Sequence, residues 1–203
     1  MGIIERKLRN KEELRNLIID SARHIINTEG IENLTMRKIA LLIDYTPTTI
    51  YKYFQNKDEL ISAIIKETTK EIALSMETLK DQNLSNDMFL STGLETYTKI
   101  MLAKSEHFKA TIMNDMTSDK KFRIFSPDMS IKNSAISYIA ACISTGIKDG
   151  SYREADIDSQ TKFVWTSIYG LISRLIIEAD IVEKERDMII INYIQFVIYS
   201  LKK

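Results

Sequence analysis

Thr48, Thr49, Tyr51 and Lys52 crowd into five consecutive positions. Hydroxyls and an ammonium at this density suit hydrogen bonds and charge contacts to phosphate oxygens and base edges. Just ahead of them, Thr46-Pro47 reads as a helix start, a capping hydroxyl followed by proline at the first helical position. The free N–H groups and positive dipole end of such a start also attract phosphate. Other chemistries are poorly supplied. His24, His107 and Cys142 are the only imidazoles and thiol, and His24 stands far from the other two along the chain. There is no Gly-rich phosphate loop, HExxH or GxSxG element. We therefore expect no catalytic residues, no cofactor and no bound metal. One cysteine allows neither an intrachain disulfide nor a multi-cysteine metal site, and fits a reducing compartment.

The contact side chains need elements to hold them. Thr35 reads as the cap of a short helix carrying Ile39, Ala40 and Ile43. Asp44-Tyr45 makes a tight break before a second short helix, Pro47 to Phe54. Ile50 and Phe54 lie four apart and pack inward on Ile39, Ala40 and Ile43, which leaves Thr48, Thr49, Tyr51 and Lys52 facing outward. Two short helices joined by a tight turn, one side packed and the other exposed, are a helix-turn-helix. An earlier helix, Glu12 to Thr28, carries the stripe Leu14, Leu17, Ile18, Ala22, Ile25 and Ile26 and stops at Gly30. After the pair, Asn56 caps a long helix from Lys57 to Leu79 with an apolar face of Leu60, Ile61, Ile64, Ile65, Ile72 and Met76. Further helices are expected over 87–103, 105–116, 128–148, 156–179 and 184–201, with Asp156 or Asp158 capping the penultimate one.

Only two prolines and six glycines interrupt 203 residues. Few breakers and helical periodicity throughout predict an all-α fold of about nine helices. A small three-helix head, residues 1–60, would continue through the long helix into a larger helical body, residues 61–203. Charge is balanced, with 28 Lys and Arg against 28 Asp and Glu. That excludes a protein that coats DNA by bulk attraction, because such binding lives on phosphate neutralisation. Arg6, Lys7, Arg9 and Lys11 nonetheless form a basic start, expected as a solvated tail able to reach phosphate or the minor groove. Asp180, Glu183, Glu185 and Asp187 form an acidic junction. No segment reaches the roughly 18 apolar residues of a membrane span, and no leader-like apolar run opens the chain. The expectation is a soluble, cytoplasmic protein with no membrane partner.

The stretch from Leu14 to Leu60 resembles the DNA-binding domain of the TetR family of bacterial transcriptional regulators. The resemblance rests on Ile19-x-x-Ala22, Gly30, Leu34-Thr35, Ile39-Ala40, Tyr45-Thr46, Thr49-Ile50-Tyr51-x-Tyr53-Phe54 and Lys57-x-x-Leu60. It implies roles for the matching positions. Thr35 would touch phosphate and Arg37 would read a base. Thr46 would cap the recognition helix, with Pro47 and Thr48 near base edges. Thr49, Tyr51 and Tyr53 would grip the backbone, and Lys57 would contact a phosphate. Lys52 joins them on grounds of charge alone. Asp44 departs from the family pattern, standing in the turn where glycine is usual, although Asp tolerates the left-handed conformation better than most residues.

An operator reader of this type works as a pair, so that two recognition helices meet successive major grooves roughly 34–36 Å apart. The stretches 163–177 and 188–201 are apolar nearly all round, which demands burial on two sides. The last two helices are therefore the expected homodimer interface. The resemblance also implies a small-molecule effector held in the body. Candidate lining residues are Phe89, Tyr97, Met101, Phe108, Met113, Met116, Phe122, Tyr138, Cys142, Trp165 and Tyr169, since Met and aromatics suit adaptable apolar pockets. Trp165-x-x-x-Tyr169-Gly170 is similar to a Trp-x-x-x-His-Gly element in one subgroup of the family. The expected function is a ligand-responsive regulator that binds a palindromic operator as a dimer, a repressor released by a small apolar effector. The alternative is a ligand-sensing helical dimer whose head docks a protein instead of double-stranded DNA.

Overall fold

The computed structural model describes residues 3–80, 84–106, 108–109, 135–178 and 180–203. The expected effector residues Met113, Met116 and Phe122, together with His107, lie outside this set, as does most of the expected helix 105–116. Among the described residues there are eight α-helices, one 3-10 turn and no strand. The helices are α1 (Ile3–Glu29), α2 (Met36–Leu42), α3 (Pro47–Tyr51), α4 (Lys57–Lys80), α5 (Asn86–Ala103), α6 (Ala135–Lys148), α7 (Ile157–Ile177) and α8 (Glu183–Leu201), with the 3-10 turn at Ile31–Asn33.

α1 begins nine residues earlier than its apolar stripe suggests, so the basic start is helix and not tail. No proline or glycine lies between Gly2 and Gly30 to oppose it, and Arg, Lys, Leu and Glu are good helix formers. The described chain divides into two compact units. One holds the chain up to Thr68 with Glu106, Phe108 and Lys109; the other holds Thr69–Ser105 and residues 135 onward.

The first unit has a core of its own. Ile18, Ile19, Ala22, Ile25 and Ile26 of α1 pack with Ile39 and Ala40 of α2, Ile50 of α3, Phe54, and Leu60, Ile61 and Ile64 of α4. Gly30 ends α1 at φ 87°, a conformation open to glycine at little cost. α4 starts with a firm cap: the Asn56 side chain accepts from the Glu59 N–H at 2.8 Å, and the Glu59 carboxylate accepts from the Gln55 N–H at 2.6 Å.

In the second unit α5 packs on α6, α7 and α8, and α7 packs on α6 and α8. Ser85 caps α5, and Asp156, of the two candidates, caps α7 by accepting from the Ser159 N–H at 2.8 Å. The hydrogen bonds from Ser159 hold the Asp156 carboxyl below its ordinary range. Two glycines permit close packing. A methyl at Gly93 would lie 2.5 Å from the Tyr138 ring, and one at Gly146 would collide with the Tyr152 ring.

Candidate functional site

The helix pair is built from its turn. α2 ends in a Schellman closure: the Asp44 N–H reaches the Leu41 carbonyl at 3.4 Å and the Tyr45 N–H reaches the Ala40 carbonyl at 2.9 Å. This closure requires a left-handed residue at position 44. Asp44 supplies it with φ 58°, the only positive φ outside glycine among the described residues. Thr46 then caps α3, its hydroxyl oxygen accepting from the Thr49 N–H at 3.3 Å, with Pro47 in the first turn. Ile50 and Phe54 are buried, and Thr48, Tyr51 and Lys52 are exposed, Tyr51 to 52%. The sequence reading of which side faces out therefore holds for these residues.

The remaining head positions differ in how free their polar groups are. Thr35 caps α2 by accepting from the Lys38 N–H at 3.1 Å, which leaves its hydroxyl proton available to an outside acceptor. Thr46 and Thr49 lie 3.0 Å apart through their hydroxyls, so one proton is shared between them and the other stays free. Arg37 is exposed, whereas its neighbour Lys38 is paired with Glu29. Tyr53 is half-buried against the core and presents only part of its ring. Lys57 is not a simple outward cation. Its ammonium donates to the Ile31 carbonyl at 2.7 Å and so ties the start of α4 to the 3-10 turn. Sequence reasoning missed this bond because nothing in the spacing of residues 31 and 57 announces it.

The described members of the expected effector set fall into more than one group. Phe89 and Tyr138 line a groove of about 520 Å³ in the second unit, whose other walls include Lys70, Met76 and Glu77 of α4 and Ser137 of α6. Their rings are 4.6 Å apart, and the Tyr138 hydroxyl donates to the Phe89 carbonyl. Tyr97, Trp165 and Tyr169 form a separate aromatic group, with Trp165 5.2 Å from Tyr97 and 6.2 Å from Tyr169 between ring centres. Burial, and then the nearby Tyr169, push the Tyr97 hydroxyl pKa well up. Met101, Phe108 and Cys142 are buried in packing, and burial raises the Cys142 thiol to about 12. The α4 side chains of the groove carried no distinguishing signal, since Lys70, Ala73 and Glu77 read as an ordinary helix surface.

Known proteins place this arrangement. The family model for bacterial regulatory proteins of the tetR family matches residues 18–64. An uncharacterized HTH-type transcriptional regulator, YhgD of Bacillus subtilis (strain 168), is 24% identical over 155 residues, which is 76% of this chain and 80% of the relative. Among solved structures, a TetR-family transcriptional regulator from Pectobacterium atrosepticum superposes with a TM-score of 0.72 at 15% identity, covering 96% of both chains. RolR in complex with resorcinol superposes with a TM-score of 0.66 at 13% identity, covering 96% of this chain and 90% of its own. The described architecture is the fold of these regulators, and the turn, cap and exposed row of α2 and α3 fall inside the matched span. Residues 18–64 are thus similar to the bacterial regulatory proteins of the tetR family, and the described architecture has the fold of a TetR-family transcriptional regulator.

Proposed function

We propose that the protein is a ligand-responsive repressor that binds a palindromic operator as a homodimer and leaves it when a small, largely apolar molecule occupies the second unit. One observation carries the reading. α4 opens in the head, with Leu60, Ile61 and Ile64 in its core, and the later part of the same helix, from Lys70 to Glu77, lines the groove. A molecule that favours one position of the groove wall thereby acts on the element that seats the head, which is a population shift between two states of the protein. RolR, of the same fold, holds resorcinol, which supports small-molecule binding as a use of this architecture.

On DNA, Thr48 and Pro47 would approach base edges and Arg37 would read a base. Thr35, Thr46, Thr49, Tyr51, Lys52 and Tyr53 would hold phosphates. Lys57 would have to divide its donors between a phosphate and the Ile31 carbonyl. The pairing surface is proposed on α7 and α8, where Phe163, Met188, Phe196 and Tyr199 are all more than half exposed in the single chain. No described helix is long and apolar enough to cross a membrane, in keeping with a regulator that meets DNA in the cytoplasm.

A second reading, a head that docks a protein, is favoured by Leu41 and Leu42, which α2 leaves 83% and 51% exposed. Selection of bound sequences from a random DNA pool separates the two. Enrichment of a palindrome supports the operator reader. A pool that shows no enrichment sinks it in favour of the protein-docking head.

A further inference from the structure

Trp165 carries one of the unsatisfied buried polar atoms of the second unit, as Tyr152 does. The Trp165 side chain is 9% exposed, and its indole N–H is buried without a hydrogen-bond partner among the described residues. Two buried hydroxyls nearby in the same unit are satisfied locally. The Thr98 hydroxyl donates to the Leu94 carbonyl at 2.8 Å and the Thr161 hydroxyl to the Ile157 carbonyl at 2.6 Å. A buried donor left without an acceptor is costly, so a native structure that keeps one has a use for it or a partner yet to arrive.

The route to that donor runs along one face of α5. Phe89, Gly93 and Tyr97 are spaced by four residues and share a side of the helix, about 12 Å from first to last at 1.5 Å per residue. Phe89 opens on the groove. Tyr138 lies across Gly93, so close that a methyl there would meet the ring at 2.5 Å. Tyr97 is in ring contact with Trp165. Tyr138 thus lies over the middle of the α5 row that has the groove at one end and Trp165 at the other, held by its ring contact with Phe89 and by one hydrogen bond to the Phe89 carbonyl.

We propose that the groove and the Trp165 cluster are the two ends of one binding site, closed by Tyr138, and that it takes a neutral molecule with a flat apolar body and a hydrogen-bond acceptor at its inner end. The acceptor pairs with the Trp165 N–H, and the flat body replaces Tyr138 between Gly93 and the aromatic rings. Neutrality follows from the surroundings. Burial disfavours ionisation of Tyr97, and an anion brought to the same buried rings would lose its water in the same way. Lys70 and Glu77 stay at the outer groove, where water reaches both. The inference rests on the reading that the second unit binds an effector and adds to it the chemistry of that molecule.

Trp165 is the only tryptophan in the chain, so its emission reports the site directly. The test titrates the full-length protein, without DNA, with 4-phenylbutan-2-one, butylbenzene and 4-phenylbutanoate, which share a phenyl body and differ in the end group. The ketone is expected to alter Trp165 emission and to bind at least about tenfold tighter than butylbenzene, the worth of one buried hydrogen bond, and tighter than the anion. Trp165→Phe keeps an aromatic ring and removes the N–H; followed by thermal shift, it should bind ketone and hydrocarbon equally. Tyr138→Phe loses the bond that holds the closure and should bind the ketone several-fold tighter. Equal affinity for ketone and hydrocarbon in the unaltered protein overturns the proposal, as does tightest binding of the anion or no response to any of the three. Ketone binding that leaves operator affinity unchanged keeps the site and removes instead the reading of the protein as ligand-responsive.

Discussion

Asp44 offers the sharpest test of how the head is built. It holds φ 58° in the closure between α2 and α3, and that closure sets where Thr46 begins the second helix. A left-handed residue with a Cβ costs roughly 1–2 kcal/mol, with Asp toward the low end because its short polar side chain bonds locally. Glycine removes this cost but adds about 0.5–1 kcal/mol of lost chain freedom on folding. Asp44→Gly should therefore stabilise the protein by about 0.5 kcal/mol, and Asp44→Ala should destabilise it by up to about 1 kcal/mol. At this chain length those changes move the melting point by roughly +1 to +2 °C and down by as much as about 4 °C. The charge has a separate consequence for DNA. A carboxylate about 10 Å from a phosphate in water is repelled by about 0.4 kcal/mol, close to twofold, and the two heads of the proposed homodimer square that factor. Asp44→Asn keeps the left-handed tolerance and removes the charge, so it should leave the melting point near its starting value and tighten operator binding about fourfold at low salt. Thermal melts and gel-shift titrations of the three variants decide the matter. If Gly and Ala variants melt together, the left-handed turn is not a determinant of stability; if Asn binds no tighter than Asp, the carboxylate does not face the phosphates.

Further expectations follow from single contacts. Thr49→Ala and Tyr51→Phe should each weaken operator binding by roughly 1–3 kcal/mol with little change in melting point, and unchanged gel shifts for both would remove α3 from the major groove. Lys57→Met should cost about 1.5–3 kcal/mol of stability without any DNA present, because it takes a charged donor from the Ile31 carbonyl; the same variant shows an unaltered salt slope of DNA binding if that bond is its only role, and a slope lower by about one contact if it also meets phosphate. Gly146→Ala should destabilise by roughly 1–3 kcal/mol through collision with Tyr152, while Gly170→Ala, with no neighbour within 4 Å, should gain up to about 1 kcal/mol in helix propensity, both read by thermal melts. The Cys142 thiol, moved by burial from its ordinary 9.0 to about 12, stays protonated in the folded chain while the unfolded thiol ionises. Its contribution to stability is complete below pH 9 and is lost as pH rises toward 12, so iodoacetamide at pH 8 should label Cys142 only after the chain is unfolded.

The helices were readable because they are written in local chemistry. Thr46-Pro47, Asn56, and Asp156 of the pair Asp156 and Asp158 are caps whose partners lie within four residues, and each appears in the structure as a real bond. The inward row Ile39, Ala40, Ile50 and Phe54 was readable for a similar reason, since two short helices with so few apolar residues can pack in only one way. The start of α1 was not. An amphipathic stripe marks where a helix is buried, and α1 runs on propensity from Ile3 up to Leu14, where its stripe begins.

The functional side chains divide along the same line. Outward placement of Thr48, Tyr51 and Lys52 follows from helical period, whereas the freedom of each polar group depends on partners far along the chain. Lys57 meets the Ile31 carbonyl across twenty-six residues, and Tyr138 meets the Phe89 carbonyl across forty-nine. Both bonds consume donors that, in the sequence, read as open to DNA or to a ligand. The effector candidates show the limit most clearly. The aromatic, Met and Cys candidates are indistinguishable by type, yet Phe89 and Tyr138 form a groove wall, Tyr97, Trp165 and Tyr169 an aromatic cluster, and Cys142 plain core. What distinguishes them is the small residue opposite, Gly93 beneath Tyr138, because the absence of one methyl decides which ring crosses the α5 face. On the proposed function, specificity for the effector resides as much in the glycine that admits the proposed closure as in the rings that form it, and Gly93→Ala should alter ligand preference in the second unit while leaving the operator sequence chosen by the head unchanged.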